Sequence, residues 1–463
     1  MKYIVLFLSC YVLSVTVQAQ QVFNLEQCRE MALAHNKQVA ISGRQTEKSA
    51  LEVKAYRANF LPKFSASGMY YLASSKSDFS IPGGYLPTFV PDESGNLIPN
   101  LIPGTEANPI FNQYAFMPDT PIEFSLNKTA MAGVQLEQPL FAGGKIMAAY
   151  RMSQIGREMS QTNQELTRTE IILETDRAYW TYIQVRELHT TAEAYKEVVG
   201  ELLRNVENAY HVGLKQRNDL LKVQVKLNEA DLQLRRAENA IRLARMNLCQ
   251  IIGFPLDTEL ELSGSFPENS RSALDELPGA DIVNRPEYLL LSQQIDLKKQ
   301  ETRLTRGDYL PTVGLRVGYN YLDGLRLNDE KMVSKGGFSA LVSVSVPLFE
   351  WGKGRNKVRS ARLEEKMAEL QRLDVEEKMT LQVAQAQHAL DEAEFETELT
   401  SRSIQQAEEH MRLSKNQYDK GMETLADYLE AQALWQKANA DHVNAQAKLE
   451  VSKTEYLKAV GQL

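Results

Sequence analysis

Pro139-Leu140-Phe141-Ala142-Gly143-Gly144-Lys145 opens a stretch that returns as Pro347-Leu348-Phe349-Glu350-Trp351-Gly352-Lys353, 208 residues later (347 − 139 = 208). The register then holds without a single insertion or deletion through residues 139–253. Tyr210-x-x-Gly213 recurs as Tyr418-x-x-Gly421, Asp219 as Asp427, and Ile252-Gly253 as Val460-Gly461. Neither copy carries a proline after its opening one. Loops drift in length, so a fixed register over such a distance implies rigid, elongated elements. The chain reads as a tandem duplication, and its function is to be sought in a doubled rod.

The arms of the repeat are helical. From Leu220 the apolar positions run Val223, Leu227, Ala230, Leu234, Ala237, Ile241, Ala244, Leu248 and Ile251, an unbroken alternation of three- and four-residue steps. Such a heptad seam imposes a left-handed supercoil, and large residues alternating with alanine suit close antiparallel packing. The preceding arm has its own seam, from Val185 through Tyr195 and Leu202 to Ala209. Gly213 lies between the two, where positive φ carries no steric penalty, so each copy predicts an antiparallel helical hairpin. In the second copy the return seam runs from Tyr428 to Ala459, but the descending arm is polar at Glu396, Thr400, Ser403 and His410. That arm is expected to pack differently, against a neighbouring chain. The descending helix from Lys145 to Asn208 would measure about 96 Å and the return helix from Asp219 to Ile252 only about 51 Å. Continuous helices over Leu25 to Phe60 and Asp281 to Tyr309 would cover the difference.

Elsewhere the period changes to two. Val313, Leu315, Val317, Tyr319 and Tyr321 alternate with polar or small residues, and Phe338, Ala340, Val342, Val344 and Val346 alternate with Ser339, Leu341, Ser343 and Ser345. The first copy repeats the pattern more weakly over Phe64 to Leu72 and Ala130 to Gln138. Stretches of about 10 residues with one apolar and one polar face suit the strands of an outer-membrane barrel; a soluble, half-buried hairpin has the same alternation. Phe141, Phe349 and Trp351 at the strand-to-helix junctions fit an aromatic belt at the membrane interface, and a local hydrophobic staple fits them as well. Because about 8 strands is the smallest barrel, four per chain require oligomerisation.

The N-terminus supplies the compartment. Lys2, the apolar run from Tyr3 to Val17 and the small-residue site ending at Ala19 predict a signal peptide over 1–19. Cys10 lies inside the apolar run with apolar residues after it, which argues against lipidation. Loss of Lys2 takes the net charge from −8 to −9 (51 − 60), which argues against nucleic-acid binding. Cys28 and Cys249 lie on apolar helix faces and read as small buried hydrophobes rather than a disulfide. The six histidines are scattered, no Gly-x-Ser-x-Gly occurs, and Gly143-Gly144-Lys145 lacks phosphate-loop spacing. Gly352-Lys353-Gly354-Arg355 resembles an anion cradle, but it falls at a chain reversal. Nothing calls for an enzyme, a cofactor or a metal.

Paired features make the resemblance specific. Leu61-Pro62 and Leu310-Pro311, the two Pro-Leu-Phe junctions, and the turns Tyr210-His-Val-Gly213-Leu214 and Tyr418-Asp-Lys-Gly421-Met422 resemble those of TolC-type outer-membrane efflux proteins. The resemblance covers essentially all of the mature chain. It implies an α+β, mostly helical fold: a homotrimer whose twelve-stranded transmembrane barrel, four strands per chain, continues into a long periplasmic helical barrel. The organisation expected is a first repeat over 20–253, an equatorial connector over 254–280 and a second repeat over 281–463. The implied partners are outer-membrane lipid, a periplasmic adaptor and an inner-membrane pump of RND or ABC type. The alternative class is a periplasmic structural or adhesive coiled coil without a pore.

The resemblance places a gate at the helical tips. Asp427 and Glu430 fall where TolC carries the acidic residues that ring its mouth, and a trimer would make each a ring of three carboxylates. Glu423 stands where TolC has a latching arginine, so Tyr418 and Asp219 would have to hold the closed state. A second reading of Asp219 and Asp427 stays open, as N-caps of the return helices. Gly213-Leu214 and Gly421-Met422 are the expected adaptor contacts. Finally, Pro62 to Pro139 exceeds Pro311 to Pro347 by 41 residues (77 − 36), an insert over about 73–125 that holds half of the prolines. It cannot be strand or helix throughout. It reads as an extracellular lid or plug, or as disordered decoration.

Overall fold

The computed structural model describes residues 22–73, 77–267, 281–328 and 330–463. The expected signal peptide and the second half of the expected connector, 268–280, lie outside the described residues. The chain divides into two compact units: a helical unit of residues 22–54, 150–302 and 359–463, and a β unit of residues 55–149 and 303–358.

The helical unit is built from the duplication. Helix α3 spans Lys145–His211 and α6 spans Lys353–Asp419, 67 residues each; α4 spans Arg217–Ile252 and α7 spans Leu425–Val460, 36 residues each. Every one of these boundaries is offset by 208 (for example 353 − 145 and 460 − 252). Both return helices end on a left-handed glycine, Gly253 and Gly461, each with φ 82°. Gly253 has a second constraint, since a Cβ there would meet the His35 Cβ at 2.6 Å.

Two expected continuous helices are interrupted. Residues 25–60 form α1 (Leu25–His35) and α2 (Lys37–Ala58), and residues 281–309 form a 3₁₀ turn (Ile282–Asn284) followed by α5 (Pro286–Gly307). The breaks are the same device twice. Buried Asn36, with extended backbone, donates from Nδ2 to the Ile251 carbonyl at 2.8 Å, and Arg285 donates from Nη1 to the Ala459 carbonyl at 3.2 Å. The two acceptors are repeat mates (459 − 251 = 208). Pro286 adds a local cause, because the residue before proline is disfavoured in helical conformation.

Three buried clusters follow the seams. One gathers Phe23, Cys28 and Ala32 against α3 residues Tyr179 and Ile183 and the end of α4. Val22–Phe23 (β1) pairs in parallel with Glu261–Leu262 (β10) beside it. The second, toward the tips, joins Val199 and Val206 of α3, Val223 and Ala230 of α4, and Leu425 and Tyr428 of α7. The third links Leu390 and Ala393 of α6 to Leu449 and Tyr456 of α7. Asp176 of α3, fully buried, binds Arg29 of α1 through two hydrogen bonds of 2.7 and 2.5 Å and accepts from Thr454 Oγ1 of α7 at 2.6 Å. Cys28 and Cys249 are free and buried. Burial, and then the Asp176 charge, pushes the Cys28 thiol up to about 12. The polar arm of α6 makes polar contacts: Lys448 reaches Glu396 at 2.7 Å and Thr400 meets His442 Nδ1 at 3.2 Å. Its apolar side chains Phe395, Leu399 and Leu413 are exposed in the single chain.

The β unit carries four long strands: β2 (Lys63–Tyr71), β9 (Thr129–Ala142), β11 (Thr312–Leu327) and β12 (Glu330–Ser345). They lie in the order β2-β9-β11-β12, every neighbouring pair antiparallel. The β11/β12 hairpin continues past the alternating segment, because its polar residues still pair: Lys331 binds Asp323 at 2.7 Å. Between β2 and β9 the insert folds into a ladder of nested pairs: β3 (Ser77–Ile81) with β8 (Thr120–Ser125), β4 (Gly84–Pro87) with β7 (Tyr114–Met117), and β5 (Phe89–Pro91) with β6 (Leu97–Pro99). Strand β8 also pairs with the end of β11.

Candidate functional site

Two regions bring the expected residues together, the sheet and the helical tips. In the sheet, register decides which side chains share a face. Phe64, Leu136, Val317 and Ala340 lie directly opposite one another across the four strands, as do Ala66, Val134, Tyr319 and Phe338. The intervening rows are Ser65, Gln135, Gly318, Ser339 and Ser67, Gly133, Asn320, Gly337. Over these rows one face is apolar across all four strands and the other polar and small; farther along, the second face holds Arg316 bound to Glu137 at 2.8 Å with Leu341 beside them, and also Met69, Met131 and Leu322. The apolar face is uncovered: Phe64 and Phe338 are 74% and 73% exposed. Among the described residues, β2 and β12 each have one edge without a strand partner over most of their length.

At the junctions to the helices, Phe349 and Trp351 are 71% and 89% exposed and meet edge-to-face at 4.9 Å. A staple would bury its members. Trp351 also adopts φ 49°, a left-handed conformation rare for a bulky residue. Its repeat mate is Gly143 (351 − 143 = 208), where a Cβ would strike the Gly307 carbonyl oxygen at 2.4 Å. Phe141 is exposed and pairs with Val313 in the ladder.

The tips are matched turns. Gly213 and Gly421 take φ 78° and 70°, and the same two hydrogen bonds close each turn: Gly213 N to Tyr210 O and Leu214 N to Ala209 O, and Gly421 N to Tyr418 O and Met422 N to Gln417 O. Leu214 and Met422 are each 78% exposed. Neither Asp219 nor Asp427 is an N-cap. The cap of α7 is Thr424, and Asp427 is the third helical residue: the Asp427 N–H donates to Thr424 Oγ1 and the Thr424 N–H to Asp427 Oδ2, each at 3.3 Å, a capping box, and the Thr424 hydroxyl also donates to Asp427 Oδ2 at 2.6 Å. The cap of α4 is Gln216, which makes no side-chain capping bond, and Asp219 is half-buried.

Tyr418 stacks on Tyr428 at 5.3 Å and 19°, and Lys215 Nζ lies 4.6 Å from the Tyr418 ring centre. Burial, then the charges of Asp219 and Asp419, raises the Tyr418 phenol, which stays protonated. Glu423 is half-buried, and its Oε2 is enclosed without a hydrogen-bond partner. Glu430 is exposed and lines a groove of about 550 Å³ between α4 and α7 together with Leu221, Val225, Lys222 and Lys226. Sequence reasoning missed Lys215 and the two groove lysines, because a helical period describes a residue's own helix and not the partner across a turn.

A two-faced sheet with open edges and paired helical hairpins ending in matched turns make the fold of the TolC-like outer-membrane channels. The chain belongs to the outer membrane efflux protein family, which matches residues 28–254 and 277–462. It is similar to outer membrane efflux protein BepC of Brucella suis biovar 1 (21% identical over 344 residues, 72% of this chain and 73% of that one). It is also similar to outer membrane protein TolC of Vibrio cholerae serotype O1 (21% over 345 residues, 72% and 76%). The solved Campylobacter jejuni CmeC outer membrane channel shares the fold, with a TM-score of 0.70 at 19% identity over 95% of this chain and 85% of that one.

Proposed function

We propose that three copies form a passive conduit, the outer-membrane component of a tripartite efflux or secretion assembly. The four-stranded sheet carries this reading: its apolar face spans all strands, and β2 and β12 are left with open edges. With strands alternating in direction, β12 of one chain can accept β2 of the next in antiparallel pairing. Three such joints close twelve strands, with the Ser- and Gly-rich face lining the lumen and Val317, Tyr319 and Phe338 in lipid. Exposed Phe141, Phe349 and Trp351 then sit at the membrane interface, and the ladder over 77–125 forms a lid on the extracellular side.

The second end of the conduit is the set of tips. Asp427, Glu430 and Asp219 would give rings of carboxylates that constrict the mouth and favour cations, with Tyr418 and Glu423 beside them. Exposed Leu214 and Met422, held by Gly213 and Gly421, offer apolar contacts to a periplasmic adaptor that couples the channel to an inner-membrane pump. Val317→Asp places a charge in the proposed lipid face and is expected to abolish trimer recovery from outer-membrane fractions, while Ser339→Asp, on the opposite face, leaves it intact. Normal membrane assembly of the Val317 variant would contradict the barrel and favour a periplasmic structural role.

A further inference from the structure

Positions 215 and 423 are repeat mates (423 − 215 = 208), yet one copy has lysine and the other glutamate. The difference has a structural counterpart. Tyr428 is 3% exposed and stacked on Tyr418, and Lys215 from the other hairpin places its Nζ 4.6 Å from the Tyr418 ring centre. The column is confined to one combination of copies, since the repeat mate of Tyr428 is Leu220. Close by, Lys415 of α6 lies 3.8 Å from Glu201 of α3, a second and looser tie between the hairpins.

We propose that Lys215, Tyr418 and Tyr428 form a cation–ring–ring fastener that holds the second hairpin's tip against the first within each protomer and thereby sets the closed state of the mouth. The proposal rests on the gate reading above and names its positioning residues. A lysine over an aromatic face is attracted by the ring's quadrupole, and offset rings add contact area. Since the phenol stays protonated, its hydroxyl contributes no charge, and the ring is what Lys215 reads. A movement that carries α6 and α7 away from the α3–α4 turn must separate Lys215 from the ring.

The test is the open probability of the full-length trimer in planar bilayers, with assembly and Tm measured alongside. Lys215→Ala and Tyr418→Ala are each expected to raise open probability by roughly threefold to tenfold. Lys215→Arg and Tyr418→Phe, which keep the cation and the ring, are expected to match the wild type. The double alanine variant is expected to open no further than either single one. Additive single effects, or a Tyr418→Phe channel as open as Tyr418→Ala, would overturn the fastener while leaving the gate in place. A wild-type channel that never closes and is indifferent to Asp427→Ala and Glu430→Ala would overturn the gate reading itself.

Discussion

Asp176 ties three helices of the helical unit together, α1, α3 and α7. It has no exposure, and its two oxygens serve Arg29 from α1 and Thr454 from α7. Removing one member of such a buried network leaves the others desolvated and unpaired. Arg29→Ala, which strands the fully buried Asp176 carboxylate, is therefore expected to destabilise the protein by about 3–5 kcal/mol, read as a lowered unfolding midpoint, with Asp176→Ala less severe because Arg29 is one-quarter exposed and keeps Glu26 as a partner. His442 is the residue-scale source of pH dependence. Burial lowers its pKa below the ordinary 6.5, so the folded protein favours the neutral ring. The unfolded chain then binds the proton first: the contribution is full above pH 6.5 and is lost as pH falls through the depressed folded value. Melting curves from pH 7.5 to 5 should show a decline that His442→Asn removes.

At the scale of elements, the two copies differ in how their return helices begin. Thr424 and Asp427 build a capping box on α7, while Gln216 leaves the equivalent donors of α4 without a side-chain cap. Thr424→Ala is expected to cost about 1 kcal/mol, and Gln216→Thr, which sets a threonine three residues before Asp219, to gain a similar amount; paired thermal melts check both. The long helices and the polarity of the strands were legible because each is an uninterrupted period, from Leu220 to Ile251 and from Val313 to Tyr321. The breaks at Asn36 and Arg285 were not, since their cause is a side chain reaching a carbonyl more than a hundred residues away. The Asn36 break has no local signal of the kind that Pro286 provides. Of the candidate site, Asp219, Asp427 and the turn glycines recur at fixed spacing, whereas Glu423 and Glu430, whose repeat mates are Lys215 and Lys222, were singled out only through the family resemblance. The Lys215 contact to Tyr418 could not be found, because it depends on side chains that differ between the copies, Lys215 against Glu423 and Tyr428 against Leu220.

At the scale of the molecule, a single chain presents what an assembly would cover. The apolar sheet face, the open edges of β2 and β12, and the exposed stripe of Phe395, Leu399 and Leu413 on α6 all lack partners in one copy. In the proposed trimer, lipid would cover the first and neighbouring copies the other two. The central claim is that this assembly conducts and that its mouth is set by acidic residues at the tips. The measurement is single-channel conductance and cation preference of the purified oligomer, before and after Asp427→Ala and Glu430→Ala together. The account predicts a small, cation-preferring conductance in the wild type that grows or loses its preference in the double variant. A demonstrated trimer with the same conductance and selectivity in both forms would contradict it.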